Sequence, residues 1–283
     1  MISPTLPGGL APLADRFDLF LVDQFGVLHD GGQPYAGAVA ALAELAARGK
    51  SVVVLTNSGK RNAPNEARML ALGFARSSYL SVMSSGEVVW RGLRDGSFGA
   101  SFAAGRRIFV VGHANDDYGL EGLGLDFVAA PERADGIIIS GSDAPRVSLA
   151  QYGEMLAPAA ARGVPALCGN PDKTMLRGGG LHPAPGAIAE VYRELGGPVT
   201  YVGKPHAAIY EAALSLVPQI AKSRCIVFGD SVEHDISGGK GAGLATALVR
   251  TGILADMAEE ALPGLFDRHG ALPDFILPSF RWD

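Results

Sequence analysis

Two cysteines, Cys168 and Cys225, are too few and too far apart for a disulfide framework or a metal knuckle. Both sit beside apolar runs and read as small core hydrophobes. Like charges do not cluster either. Lys60–Arg61 and Arg106–Arg107 are isolated pairs in a chain of net charge −5. That excludes the basic footprint of a nucleic-acid binder and the basic helix of a membrane-surface protein. Trp90, Trp282 and the other aromatics lack the spacing of a base-stacking platform. No apolar run reaches the ~18 residues that span a bilayer, and the opening MISPTLPGGL has no charged segment leading into an apolar one. The expectation is a cytoplasmic protein that meets neither nucleic acid nor membrane; assembly into a homo-oligomer stays open. What is plentiful is apolar: 48% of residues are hydrophobic and 19% charged, ample for one large α/β unit or two linked domains.

Short apolar runs alternate with helical stretches. Strands are expected at 19–22, 51–55, 108–111, 137–139, 166–168, 200–202, 225–228 and 245–249, and helices at 36–48, 63–72, 149–162, 187–195, 207–217 and 235–242. Non-alternating strands separated by helices predict an α/β protein with a parallel sheet covered on both faces. The Gly/Pro cluster GGGLHPAPG at 178–186 reads as a domain crossing, with Gly178–Gly180 a hinge rather than a phosphate cradle, because no helix start follows directly.

In such sheets ligands bind at the carboxyl ends of the strands. That rule selects Asp23, the trio Thr56-Asn57-Ser58, Lys204 and Asp230, with Asp235 close behind. Carboxylates at 23, 230 and 235 are hard oxygen donors suited to Mg²⁺, and crowded acids repel unless a cation lies among them. Lys204 and the Thr56-Asn57 donors suit an anion. A divalent metal beside cationic and neutral donors is equipment for phosphoryl transfer, and an aspartate can attack phosphorus.

The wording of these segments resembles the haloacid dehalogenase (HAD) superfamily. LVDQFGVLHDG at 21–31, VVVLTNSG at 52–59, VGKPHAAIYEAAL at 202–214 and VFGDSVEHDISGGKGAG at 227–243 look like its four motifs in order, and CGNPDK at 168–173 is similar to a segment of the class IIA branch. The resemblance covers roughly residues 15 to 280. It implies a Rossmann-like, doubly wound parallel-sheet core over 1–83 and 184–283 with an inserted α/β cap over 84–183. It implies a Mg²⁺-dependent hydrolase that acts on a small, sugar-phosphate-like metabolite through an aspartyl-phosphate. Asp23 would be nucleophile and metal ligand, and Lys204 would neutralise charge beside it. Thr56, Asn57 and Ser58 would hold the phosphoryl group, and Asn170 and Asp172 would lie near the substrate at the cap boundary. The metal would take Asp23, the Phe25 carbonyl and Asp230, with Asp235 supporting the site.

One position departs from the resemblance. Phosphatases of this type carry a second Asp two residues after the nucleophile, to protonate the leaving oxygen and activate water; this chain has Phe25. Nearby candidates to replace it are His29, Asp30 and His206. Two other readings remain. A metal-independent carbon–halogen hydrolase also places an aromatic residue at that position, and a phosphoryl-ligand binding protein would keep the pocket without turnover.

Overall fold

The computed structural model describes residues 4–6, 8–113, 115–177 and 180–283. Its strands are β1 (Leu19–Asp23), β2 (Ser51–Thr56), β3 (Ser81–Ser84), β4 (Arg107–Val111), β5 (Asp126–Phe127), β6 (Gly136–Ile139), β7 (Ala166–Cys168), β8 (Thr174–Arg177), β9 (Gly180–Pro183), β10 (Val199–Tyr201), β11 (Cys225–Gly229), β12 (Ala245–Val249) and β13 (Phe275–Leu277). The chain forms two compact units. Among the described residues no helix is long and apolar enough to cross a membrane.

The first unit comprises Met1–Thr56, Ala63–Met83 and Lys204–Asp283. Its six-stranded sheet has the order β13-β12-β11-β1-β2-β3. β1 lies between β2 and β11 and runs parallel to both, with Leu21 facing Val53 on one side and Val227 on the other. Every residue of β1 and β11 is buried, as continuous apolar strands covered on both faces require. Phe20 stacks on Phe228 at 5.7 Å, and Phe280 meets Phe228 edge-on at 5.3 Å, favourable aromatic geometries. Chain order reverses at β1: β2 and β3 extend one way, β11 to β13 the other. In parallel α/β sheets ligands bind at such a switch point, beyond the strand carboxyl ends, here those of β1 and β11. At the opposite, amino edge, Asp18 accepts from Lys50 Nζ at 2.9 Å and from Arg224 Nε at 2.8 Å. These three residues precede β1, β2 and β11, so one carboxylate ties the starts of three adjacent strands.

The second unit comprises Asn57–Asn62 and Ser84–Gly203. Its five-stranded sheet, β10-β7-β6-β4-β5, is parallel throughout. The helices Leu149–Ala161 and Pro185–Glu194 share a hydrophobic cluster with β6 and β7 through Tyr152, Leu156, Ile188 and Tyr192. Ser148 and Gln151 form a reciprocal capping box that starts the first of these helices.

The last crossing between units lies at Gly203–Lys204, not at 183–184 as expected. The reason is pairing: β10 joins β7, so 199–201 completes the second unit's sheet. Gly186 also packs against this unit, since a Cβ there would meet the Pro171 carbonyl oxygen at 2.1 Å. On either side of the expected hinge, β8 and β9 pair antiparallel, and the Pro185–Glu194 helix follows β9; Gly178 and Gly179 of that hinge lie outside the described residues.

Candidate active site

The first unit gathers the acids. One oxygen from each of Asp23, Asp230 and Asp235 lies within 4.8 Å of the others, and all three residues are buried. Asp23 ends β1, and Asp230 follows β11 directly. Asp235 reaches the same place through a π-helical turn, Val232–Ile236, whose N-cap is Ser231. Its wider i→i+5 turn brings the carboxylate back onto Gly229, where a Cβ would lie 2.0 Å from Asp235 Cγ.

Lys204 Nζ donates to Asp23 Oδ1 at 2.5 Å and to Asp235 Oδ1 at 2.7 Å. Burial pushes the ammonium toward neutrality, but Asp23 and Asp235 outweigh it and hold its pKa well above the usual value. Burial raises the Asp23 carboxyl, opposed by Lys204 and reinforced by the other two acids. Asp230 is pushed up to about 7, by burial first and by Asp235 second, against the Ile253 N–H that donates to its Oδ2 at 2.8 Å. Three carboxylates around one ammonium leave excess negative charge, a site deficient in cation.

The donor set fits a hard cation. Lys204 and the Ser231 N–H occupy the two oxygens of Asp235, at 2.7 and 3.2 Å. Lys204 takes Oδ1 of Asp23, and Ile253 takes Oδ2 of Asp230. Among the described residues, these bonds leave Asp23 Oδ2 and Asp230 Oδ1 for a cation. Among the described residues no backbone N–H is directed to the Phe25 carbonyl, because the turn closes through Gly26 N–H to His29 O and His29 N–H to Gln24 O. Two carboxylate oxygens and a main-chain oxygen are suitable Mg²⁺ ligands.

Sequence reasoning missed the glycines that make this packing fit. Gly26 has φ +95°, and a Cβ there would sit 2.1 Å from Asp230 Oδ2. Gly252, φ +57°, would place a Cβ 1.9 Å from the same oxygen and 2.6 Å from Gly26 Cα. Thr251 Oγ1 donates to the Gly26 carbonyl at 2.5 Å, tying the two loops together. Gly26 could be found from its place beside Phe25. Residues 251–253 carry no motif and become visible only once β12 lies beside β11.

The three candidate proton donors are placed as follows. His29 is buried; its Nδ1 accepts from the Gly31 N–H at 2.9 Å, which puts the ring proton on Nε2. Burial and Arg68 lower its pKa to about 4, so the ring is neutral at neutral pH. Asp30 is exposed and accepts from Gly32 and Gln33 N–H groups, which hold its pKa below the usual value and keep it ionised. His206, at the start of the Ala207–Leu214 helix, is lowered by desolvation and by His234. Phe25 is half exposed and meets the His29 ring edge-on at 5.7 Å.

Thr56, buried at the end of β2, belongs to the first unit. Asn57, Ser58, Asn170 and Asp172 belong to the second. There Asn57 Nδ2 donates to Asp172 Oδ1 at 2.8 Å, and Ser85 Oγ donates to Asn57 Oδ1 at 3.3 Å. Asn170 Oδ1 accepts the Asp172 N–H at 3.0 Å. Ser58 Oγ accepts the Lys60 N–H at 3.3 Å. Ser85 was not anticipated; it opens a helix, Ser85–Asp95, that follows too short a strand to stand out in sequence.

Comparison with known proteins identifies the family. Residues 20–126 match the haloacid dehalogenase-like hydrolase family, and residues 201–281 match a HAD-hydrolase-like family. A haloacid dehalogenase-like hydrolase from Brucella suis 1330 is 30% identical, with TM-score 0.82 over 97% of this chain and 99% of its own. Human chronophin is 29% identical over 92% of this chain and 89% of its own length. A glycerol phosphate phosphatase from Mycobacterium tuberculosis, solved with magnesium, is 25% identical, with TM-score 0.73 over 95% of this chain and 77% of its own.

Proposed function

The chain belongs to the haloacid dehalogenase-like hydrolases, in the class IIA branch, and on that footing we propose that it is a Mg²⁺-dependent phosphatase of a small phosphorylated metabolite. The observation that carries this reading is the Lys204 ammonium bridging Asp23 and Asp235, with Asp230 alongside, at a parallel-sheet switch point. Asp23, Asp230 and the Phe25 carbonyl would hold the metal; Asp235, with both oxygens engaged, orients Lys204. Bound Mg²⁺ supplies charge neutralisation at the phosphoryl oxygens.

Asp23 attacks phosphorus through a carboxylate oxygen. The new O–P bond forms as the ester P–O bond breaks, and the leaving group departs with that electron pair. Water then cleaves the aspartyl-phosphate, which releases phosphate and restores the Asp23 carboxylate. Lys204 offsets charge on Asp23 throughout, and Thr56 and Asn57 donate to the phosphoryl group. None of His29, Asp30 and His206 carries a readily given proton at neutral pH, which supports reading Phe25 as a missing general acid. The leaving group then departs as an oxyanion.

A panel of phosphate monoesters assayed with Mg²⁺ and with chelator tests the reading. Mg²⁺-dependent phosphate release is expected, with a covalent phosphoenzyme trapped on wild type and absent from Asp23→Asn. Turnover by Asp23→Asn at the parent rate would refute the nucleophile. Chelator-resistant release of halide from a haloacid would favour the carbon–halogen reading instead.

A further inference from the structure

The second unit has a cavity at the amino edge of its sheet, the edge opposite the strand ends where parallel α/β sheets ordinarily bind ligands. It holds about 280 Å³, and its lining comes from segments that lead into three adjacent strands. Arg106 directly precedes β4, Asp135 directly precedes β6, and the loop 162–165 leads into β7. Ser101 closes the remaining side. Local structure shapes the space. Phe102 is buried against the start of β6, where a Cβ at Gly136 would lie 2.7 Å from its ring. That anchor leaves Ser101 at the rim. Gly163, with φ +68°, turns the chain out of the Leu149–Ala161 helix toward β7, a left-handed helix end that suits glycine.

Guanidinium groups set the character of this lining. Arg162 is held in place, since its two terminal nitrogens donate to the Glu132 carbonyl and, at 3.0 Å, to the Ala134 carbonyl. Asp135 is already neutralised: Arg107 Nη2 donates to its Oδ1 at 2.7 Å, and Arg107 Nε and backbone N–H donate to its Oδ2 at 3.2 and 3.0 Å. Arg106 differs. Among the described residues its guanidinium makes no hydrogen bond or ion pair, and the Ser101 hydroxyl makes no hydrogen bond. Arg106, Arg107 and Arg162 against Asp135 leave a net charge of +2 around the cavity. A simpler account makes Arg162 a clamp and Arg106 a solvated side chain. The clamp explains Arg162, but not a second guanidinium and an unused hydroxyl in the same concavity. Like charges there repel, and the walls concentrate their field. An oxyanion removes the repulsion, and the guanidinium fork matches the paired oxygens of phosphate or carboxylate. A neutral ligand would leave the repulsion in place, and a cation would add to it.

We infer that this amino-edge cavity binds a small oxyanion of two charges through Arg106, Arg162 and the Ser101 hydroxyl. Its volume lies just under the roughly 300 Å³ at which pockets for drug-sized ligands begin, so it suits one phosphate group or a short dicarboxylate with accompanying water. Its residues all belong to the second unit and include none of the three acids or Lys204, so its occupancy does not depend on phosphatase activity. Arg106 is exposed, so solvent screens its charge and binding should weaken with added salt.

Inorganic phosphate and malonate present the same double charge on different frames. Each is titrated into the full chain in chelator and followed by residue-resolved amide NMR. Saturable shifts are expected at the amides of Ser101, Arg106, Gly163 and Val164. Shifts at Asp23 and Thr56 would report phosphate at the carboxyl edge of the first unit's sheet, so the two locations are told apart. Acetate, with one charge, should bind about 10-fold more weakly than malonate. Arg106→Gln removes a guanidinium that makes no fold contact among the described residues, and should weaken both dianions by about 5- to 10-fold, the worth of a charged hydrogen bond reduced by solvent. Arg106→Lys keeps the charge without the fork and should recover part of that loss. Binding of phosphate alone or of malonate alone supports the site and assigns its ligand as tetrahedral or planar. Absence of saturable shifts at these four amides with both probes overturns the inference. So does unchanged affinity in Arg106→Gln, or acetate that binds as tightly as malonate.

Discussion

Replacing Lys204 with methionine keeps an unbranched side chain, one atom shorter, and removes the ammonium that touches two buried carboxylates. Breaking a buried ion pair by deleting one partner costs about 3–5 kcal/mol, because the remaining charge is buried and uncompensated. Here two acids lose their partner at once and a third lies within 4.8 Å, which puts the expected loss toward the upper end of that range at neutral pH without metal. Protonation of the acids limits the damage, at about 1.4 kcal/mol per unit of pKa. The penalty should therefore shrink as pH is lowered toward mild acid. It should also shrink with Mg²⁺, since a site lacking Lys204 has more charge to neutralise and the folded state gains by mass action. Urea denaturation of the full chain, with chelator and with Mg²⁺, measures the difference. Hydrogen exchange at β1 and β11 amides assigns it to the first unit, because a chain with two units need not unfold in one step. A loss below about 1 kcal/mol in chelator at neutral pH is what an exposed pair would give, and would refute the view that Lys204 holds these acids together.

Gly252→Ala should weaken Mg²⁺ binding and destabilise the first unit by about 1–3 kcal/mol, combining φ +57° with a Cβ 1.9 Å from Asp230 Oδ2; an unchanged Mg²⁺ titration would show that this loop does not set the Asp230 position. Asp230 must lose a proton to bind metal, and its pKa of about 7 means that Mg²⁺ affinity should fall as pH drops below neutrality and level off above it. Calorimetry across that interval checks the sign, and flat affinity would contradict it. Phe25→Asp should raise hydrolysis of alkyl phosphates by about 10-fold or more, given the usual contribution of general acid–base catalysis, and should flatten the dependence of rate on leaving-group pKa; a shallow dependence in wild type would show that another group already donates the proton.

The acids and Lys204 are legible in the sequence because each follows or neighbours a short apolar strand. β1, β2 and β11 announce themselves by runs such as FLVD and SVVVLT, where burial on both faces removes any polar alternation. β3, SVMS, has polar ends and only four residues, and β13 has three; both are strands because a neighbour supplies the hydrogen bonds. The 183–184 boundary fails for a similar reason. Gly and Pro mark a change of direction, but whether the next segment joins one sheet or the other depends on the pairing of β10 with β7, a contact between positions some thirty residues apart. The positions of Gly252 and Ile253 against Asp230 likewise depend on the sheet, and no local pattern encodes them.

The Asp18 clamp has a consequence for life in acid. Arg224 and Lys50 depress the Asp18 pKa to about 2. A depressed carboxylate stabilises the fold above its unfolded value and loses that contribution only as pH falls through its folded pKa. Asp230 works the other way. Its pKa is raised to about 7, so its ionisation penalises the metal-free fold at neutrality and above, and the penalty fades as pH falls from there toward the unfolded value of 3.8. Between those limits the two ends of one sheet cooperate: the amino edge stays fastened while the carboxyl edge sheds repulsion. Mild acid would then weaken Mg²⁺ binding at Asp230 and, by these two groups, leave the emptied first unit firmer, so that metal loss and unfolding become separate events.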